Sequence, residues 1–353
     1  MTDTGRPIRV LMLTCAWPPP DRPGYTTTFI RRQVEFLQAA GVDVDVFHFT
    51  SAMRPSNYLR AWIDARRRTS RDRYDLVHAQ FGQSGLVALP KRLPLVVTFR
   101  GDDLQGIVGR DLRVTAAGRV LQTVSRMVAR AADACIVVSE HMKAFLPRSV
   151  PATVIPSGLD FSQFRPMPRD DARAHLGLPP DKRLVLFVGN PAVERKRYPL
   201  AREAVDILSR SLPAELVVAW KVRHRDVPFW MNACDALLFT SMQEGSPNAV
   251  KEALACDLPV VSVPVGDVAQ RIGGVAGCEL CSDEQPATIA AALERVLRRG
   301  GRAAGRAAVQ DLDEGRLAQQ VIGVYRSVLQ ARNGEHATVD HRPPRVAAAP
   351  GAP

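Results

Sequence analysis

Short apolar runs alternate along this chain with stretches whose apolar residues recur at helical spacing, and that alternation, carried through twice, restricts the fold more than any other feature. The run RVLMLT is followed by a stretch that puts Ile30, Val34 and Leu37 on one helical stripe with Gly41 as its stop, and then by VDVDVFHF. This is one βαβ unit. DLVHA, LPLVVTF and ACIVVS continue the series. Runs that are apolar nearly throughout belong to strands buried on both faces, so a mostly parallel sheet covered by helices is expected, ending near VIPSGLDFSQFRP. A second series opens with RLVLFVG and a helix near Pro199, with Leu200, Ala204 and Ile207 facing inward. AELVVAW, ALLFTS and PVVSV follow, with helices over Pro247 to Cys256 and around Ile289 to Leu297.

The expectation is an α/β protein of two Rossmann-like, doubly wound domains, residues 1–165 and 166–312, facing a central cleft. A chain of 353 residues is long enough for two such cores. Leu317, Val321, Val324 and Val328 share one face of a last helix over 313–332, which therefore packs back on the body. Residues 333–353, rich in proline and alanine and without periodicity, are expected to be disordered. Ligands of doubly wound folds bind beyond the carboxyl ends of the strands, so the chemistry is sought in the loops there. No GxGxxG follows the first strand of either domain, which argues against a dinucleotide oxidoreductase.

The net charge of +11 comes from 47 lysines and arginines, only 6 of them lysine, against 36 carboxylates. A general excess of arginine singles out no partner, and no nucleic acid is expected; local clusters carry more weight. Between Arg54 and Arg73 seven arginines face two aspartates, a local net of +5, with Leu59, Trp62 and Ile63 on one helical face. Such a helix either lies on an anionic bilayer or is a solvated face with a few core contacts. Six cysteines in apolar contexts read as buried free thiols of a reducing compartment. The CxxC of Cys278 and Cys281 lacks the second pair that a zinc site requires, so neither metal nor cofactor is expected. No apolar run reaches the roughly 18 residues of a membrane span. IRVLMLTCAWPPP reads as a first strand rather than a signal peptide. The expected location is cytoplasmic, with peripheral contact at the inner face of the plasma membrane if the basic helix lies on lipid.

The most informative segment is TSMQEGSPNAVKEALACDLPVVSV, a strand, a polar loop, a helix with Ser246 as N-cap and Pro247 at its first position, and another strand. Free N–H groups and the dipole of such a helix start favour a phosphate or a sugar hydroxyl. Glu244 precedes the helix and Glu252 lies inside it, with seven residues between them, so both carboxylates can border one ligand. Here the chain resembles glycosyltransferase family 4, retaining enzymes of the GT-B fold, whose signature pairs two glutamates at this spacing in EGxPxxxxEAMA. VIPSGLDFSQFRP is similar to the family's interdomain VIPNGVDxxxFxP, and LVVTFRGDDL to its VVTFHGxDL. The likeness covers nearly all of residues 8 to 330. It implies that Glu244 contacts the donor sugar near the reacting centre and Glu252 the nucleotide ribose, with Gly245, Ser246, Asn248 and Ala249 lining the donor at the helix start.

Three departures from the family pattern matter. In FVGNPAVERKRYPLA the family has a glycine, an arginine and, six positions later, a lysine, the two cations clamping the diphosphate; Gly189 and Lys196 fit, but Asn190 holds the arginine's place. Arg195 or Arg197 is expected to supply the missing charge. Arg100 stands where many relatives have the histidine of TFHG, and an arginine suits an anionic sugar or an acceptor phosphate rather than base catalysis. Asp102 and Asp103 beside it would orient it or bind acceptor hydroxyls, unless the group is a structural salt bridge. Between Asn190 and Met231 the chain is shorter than most relatives, leaving the base pocket open, and Lys221, Arg223, His224 and Arg225 there are either donor contacts or a solvated face. His78, Gln80 and Gly24, after strands of the first domain, are expected on the acceptor side.

The resemblance implies a metal-independent, retaining glycosyltransferase (EC 2.4) that takes a UDP- or GDP-type nucleotide-sugar and a glycan or lipid-linked acceptor in bacterial polysaccharide biosynthesis. Glu244, Lys196 and Arg100 would carry the reaction. Asn190 and Arg100 also leave open a catalytically degenerate relative that binds nucleotide-sugar or glycan without turnover.

Overall fold

The computed structural model describes residues 6–17, 28–51, 54–70 and 73–339, with side chains as far as 332. The apolar runs become two parallel sheets. The first holds β1 (Arg9–Thr14), β2 (Asp43–His48), β3 (Leu76–Gln80), β4 (Leu95–Phe99), β5 (Ala134–Val137) and β6 (Ala152–Val154) in the order β2-β1-β3-β4-β5-β6. The second holds β7 (Leu184–Val188), β8 (Glu215–Ala219), β9 (Ala236–Phe239), β10 (Val260–Ser262) and β11 (Glu279–Leu280) in the order β11-β10-β9-β7-β8. The edge strands β6 and β11 are absent from the sequence reading because each is only three or two residues long and carries no apolar run.

The helices of the first half are α1 (Thr28–Ala39), α2 (Pro55–Thr69), the short α3 (Gly82–Gly85) and α4 (Asp102–Gln105), and α5 (Ala116–Ala131). Those of the second are α6 (Arg169–Leu176), α7 (Tyr198–Leu208), α8 (Val227–Ala233), α9 (Asn248–Ala255), α10 (Val268–Ile272) and α11 (Pro286–Arg299), followed by α12 (Glu314–Val339). Alternate residues of each strand feed opposite layers. Leu11, Leu13, Val77, Ala79 and Val97 pack with Ala61 and Ala65 of α2 and Val128 of α5. Val10, Met12 and Val96 pack on the other face with Val34 and Leu37 of α1, in a core that continues into the second half.

α12 crosses back from the end of the second half to pack beside α1, burying Leu317, Val321, Tyr325 and Val328, with Val324 partly buried. It runs on through Asn333 and Gly334 to Val339, so the expected disorder from 333 fails over 333–339; 340–353 lie outside the described residues. Nucleating a helix is costly whereas extending one adds a bond per residue, and no proline intervenes before Pro343. The stripe of α7 is also rotated from the expected one. Ala201, Ala204, Val205 and Leu208 are buried, while Leu200 and Ile207 sit at its margins. Among the described residues no helix is long and apolar enough to cross a membrane.

The linker between the halves is pinned from both sides. Arg32 of α1 donates through Nε to Glu314 of α12 at 2.8 Å and pairs with Asp160 at 3.0 Å. Arg306 donates to the Phe164 carbonyl at 2.7 Å. Lys251 of α9 donates to the Ser157 carbonyl at 3.0 Å.

His78, expected to line the acceptor side, is instead fully buried. The register of β3 turns it toward α12, where its ring nitrogens meet the Tyr325 hydroxyl at 2.6 Å and the Thr98 hydroxyl at 2.8 Å. Burial, with Arg100 nearby, pushes its pKa down to about 3. The unfolded chain therefore takes up a proton near 6.5 that the folded chain refuses until about 3. Stability contributed by the neutral ring is complete above 6.5 and drains as pH falls below it, by up to about 1.4 kcal/mol per pH unit. We expect urea titrations at about pH 7 and about pH 5 to show a larger loss for the natural chain than for His78→Gln. Equal losses would contradict this placement.

Candidate active site

The loops that follow β4, β7 and β9 leave the carboxyl ends of their strands and converge where the two halves meet. After β9 the chain turns through Glu244 and Gly245 into α9. Pro247, not Ser246, occupies the cap position, with φ −70° and ψ 118°. The Ser246 hydroxyl is drawn off to Asp267, donating to Oδ2 at 2.8 Å, so it cannot cap. The first N–H of α9 to close a turn is that of Lys251, onto the Pro247 carbonyl at 3.5 Å. The amides of Asn248, Ala249 and Val250 are thus the free donors of this helix start. The Asn248 side-chain oxygen there is buried and finds no partner among the described residues. An orphaned acceptor of this kind marks a place where a ligand group or water completes the bonding.

Glu244 is the centre of the site. Its Oε1 accepts from Lys196 Nζ at 2.6 Å and from Arg195 Nη1 at 2.7 Å. Burial pushes its carboxyl up, but Lys196 and Arg195 together reverse this and hold it below the usual carboxylate range. The side chain is therefore ionised at neutral pH. Of the two arginines expected to replace the missing cation, Arg195 reaches Glu244, and Arg197 is turned away to the Thr240 carbonyl and Glu284. Asn190 caps its own turn, accepting from the Ala192 amide at 3.0 Å. Gly189 has φ +132°, a backbone conformation that favours glycine, and the Lys196 stem runs beside it at ordinary contact distance. The Lys196 ammonium also lies 5.1 Å from the centre of the Phe239 ring.

Glu252, one and a half turns into α9, has its carboxylate 3.7 Å from His224 Nε2. His224 follows β8 and is held by Gln163 of the linker, 3.3 Å from its Nδ1. It faces the site, whereas Lys221, Arg223 and Arg225 are exposed. Lys251, between the two glutamates, is fully buried, and burial lowers its pKa to about 8.

Arg100 sits at the floor of the first half beneath this loop. Its guanidinium donates to Gln80 at 2.6 Å, Gln33 at 2.9 Å and Ser157 at 2.8 Å, all neutral acceptors, and lies 4.6 Å from the centre of the Phe29 ring. Burial lowers its pKa to about 10. The salt bridge to the neighbouring aspartates, one of the two readings left open, does not form. Asp103 accepts from the backbone amides of Arg100, Gly101 and Gly82, and Asp102 reaches across to Arg195 Nε at 3.7 Å. Gly24 lies outside the described residues.

Contacts between the halves bring in residues the sequence reading did not name. Gln105 donates to the Glu244 carbonyl at 3.1 Å, Ser139 to the Gly245 carbonyl at 2.7 Å, and Gln243 to the Gly106 carbonyl at 2.7 Å. Asp267, which holds Ser246, follows β10 at the carboxyl end of its strand, and that position is the one signal by which it was findable.

Comparison with known proteins agrees with this geometry. The model of Glycosyltransferase Family 4 matches residues 6–163, and that of Glycosyl transferases group 1 matches residues 215–299. This chain belongs to glycosyltransferase family 4. Neither match takes in the Asn190 to Lys196 loop, where the departure from the family pattern lies. The chain is 25% identical over 338 residues to a putative teichuronic acid biosynthesis glycosyltransferase of Bacillus subtilis (strain 168), covering 75% of this chain and 83% of that protein. It is 29% identical over 316 residues to D-inositol 3-phosphate glycosyltransferase 1 of Catenulispora acidiphila, covering 74% of each. The structure resembles sucrose-phosphate synthase of Thermosynechococcus elongatus, with a TM-score of 0.77 at 21% identity over 92% of this chain and 100% of that one. It also resembles Anabaena HepE in complex with UDP, with a TM-score of 0.62 at 15% identity over 91% of this chain and 100% of that one. The fold is therefore GT-B, and the protein is a glycosyltransferase.

One contact fixes how this family member closes. A side chain on Gly245 would begin 2.1 Å from the Arg100 carbonyl oxygen, backbone against backbone. Gly245→Ala is expected to push the Glu244 loop off the first half and enlarge the radius of gyration in small-angle scattering. An unchanged scattering curve would contradict direct packing of the two loops.

Proposed function

We propose that this glycosyltransferase moves a sugar from a UDP- or GDP-type nucleotide-sugar to a glycan or lipid-linked acceptor, with retention of anomeric configuration and without a divalent ion, in bacterial polysaccharide biosynthesis. One observation carries the reading: Lys196 and Arg195 converge on the part-buried Glu244 beside the open amides of α9. Two cations and a helix start are a receptor for a pyrophosphate. Glu244, ionised and oriented by those cations, is placed to take a hydroxyl of the donor sugar, and Glu252 a hydroxyl of the ribose. The neighbour solved with UDP, and the relatives named as a putative teichuronic acid biosynthesis glycosyltransferase and a D-inositol 3-phosphate glycosyltransferase, support the substrate classes.

In this mechanism the bond from the anomeric carbon to the β-phosphate oxygen breaks as the acceptor oxygen bonds the same face. The acceptor proton passes to the departing phosphate oxygen, giving a glycoside and a nucleoside diphosphate. No side-chain base is needed. Lys196, Arg195 and the α9 amides stabilise the charge that grows on the leaving group, a preorganised arrangement worth most in a site shielded from water. Asn190 does not remove this function, because Arg195 supplies a second cation from a different position in the loop.

Incubation with UDP-, GDP- and ADP-sugars, followed by detection of released nucleotide, tests the reading. Lys196→Ala and Glu244→Ala should each lower turnover by about a hundredfold or more while leaving the circular dichroism unchanged. Turnover should survive a chelator of divalent ions. Full activity in both variants would reject the assignment, and a chelator-sensitive rate would reject its metal independence.

A further inference from the structure

Seven large apolar side chains are exposed among the described residues, and six of them, Leu59, Ile63, Ile107, Leu112, Val120 and Met127, belong to α2, α5 and the loop entering α5. Single exposed apolar residues are ordinary; a cluster is not. α2 and α5 cover the same face of the first sheet, since Ala61, Ala65 and Val128 share one core with Leu11 and Leu13. Their outer surfaces therefore face the same way. Between them runs an open groove of about 830 Å³, lined by Leu59, Trp62, Leu89 and Met127 among others. Trp62 holds its floor by donating to the Leu89 carbonyl at 2.7 Å.

The surroundings are cationic. Lys91 and Arg130 line the groove, and Arg60 and Arg67 of α2, Arg119 of α5 and Arg92 are exposed. α2 carries four arginines against one aspartate, and α5 three arginines and no carboxylate. Among the described residues, Lys91 alone of the six has a close carboxylate from outside the two helices, Asp133 at 2.7 Å. Along α5, Val120 (60% exposed) and Met127 (46% exposed) are two turns apart on one side of the helix, roughly 10 Å in length. Ile107 and Leu112 continue from the N-terminal end of α5 to Gly106, whose carbonyl receives Gln243, the neighbour of Glu244.

We propose that this face of the first half docks on an anionic lipid bilayer, with Leu59, Ile63 and Met127 entering the headgroup region and the arginines meeting lipid phosphates. Apolar side chains ringed by cations are the composition that binds such an interface, whereas a protein partner of no stated charge would leave the arginines uncompensated. The edge that ends at Gly106 would then bring a lipid-linked acceptor to Glu244. Only this last step rests on the proposed sugar transfer; the docking stands independently of it.

The test is co-sedimentation of the full chain with phosphatidylcholine vesicles, plain or with about a third phosphatidylglycerol. Binding is expected only to the anionic vesicles and should weaken with salt. The pair Arg60→Glu and Arg67→Glu should reduce it by at least about thirtyfold, and the pair Leu59→Ser and Met127→Ser should abolish it. Calorimetric binding of UDP or GDP serves as the check that each variant is folded, because none of these positions touches the donor site. Failure of the natural chain to bind anionic vesicles overturns the proposal, as does retention of binding in both folded variants. A change of mass in light scattering for the serine pair, with vesicle binding intact, assigns the groove to a second copy of this chain and also overturns it. Loss of sugar transfer in Lys196→Ala is irrelevant to these outcomes, so the two readings fail separately.

Discussion

A part-buried carboxylate held by two cations sets the arrangement of this molecule. Glu244 has Lys196 and Arg195 on one oxygen, within hydrogen-bonding distance of both. Removing Glu244 would leave two cations side by side without the carboxylate they share. The loop that carries Glu244 is therefore fixed to the loop after β7, although the two are far apart in sequence. The same loop is gripped from the first half by Gln105 and Ser139 through its carbonyls. The ionic cluster and the junction of the two halves are one structure, and a ligand that draws the cations away from Glu244 bears directly on that junction.

Two further cations, Arg100 and Lys251, behave differently. Arg100 is buried among amide and hydroxyl oxygens and an aromatic ring, with no carboxylate on its guanidinium. Lys251 rests on one carbonyl of the linker. Both touch Ser157, Arg100 at its hydroxyl and Lys251 at its carbonyl, so the linker is where positive charge from the two halves is brought together. Positive potential that is hydrogen-bonded but not neutralised remains available to an anion above it.

Much of this was legible in the sequence because it is local. The alternating runs gave the strands, since burial on both faces leaves near-continuous apolar segments. The spacing of Glu244 and Glu252 placed both on one loop and helix. What escaped depends on distant partners. Ser139 and Gly245 are separated by 106 residues, and nothing near either predicts their bond. His78 lies in the carboxyl half of β3, close to where a site residue would stand, yet the parity of β3 turns it to Tyr325, in a helix whose docking place no local pattern states. Ser246 has every feature of an N-cap and fails as one because Asp267 competes for its hydroxyl. Arg195 and Arg197 were indistinguishable by spacing. A left-handed turn at Arg197, with φ +51°, separates them and sends one toward Glu244 and the other toward Glu284.

The central claim is that Arg195, Lys196 and the start of α9 form a receptor for pyrophosphate. Calorimetric titration with uridine, UMP and UDP, or the guanosine series, measures this most directly, with and without Arg195→Ala. Affinity should rise with each phosphate, and the step from mono- to diphosphate should shrink by about tenfold in the variant, the loss of one charge-assisted contact. The same step in both proteins would mean that the diphosphate binds elsewhere, and the account would be wrong.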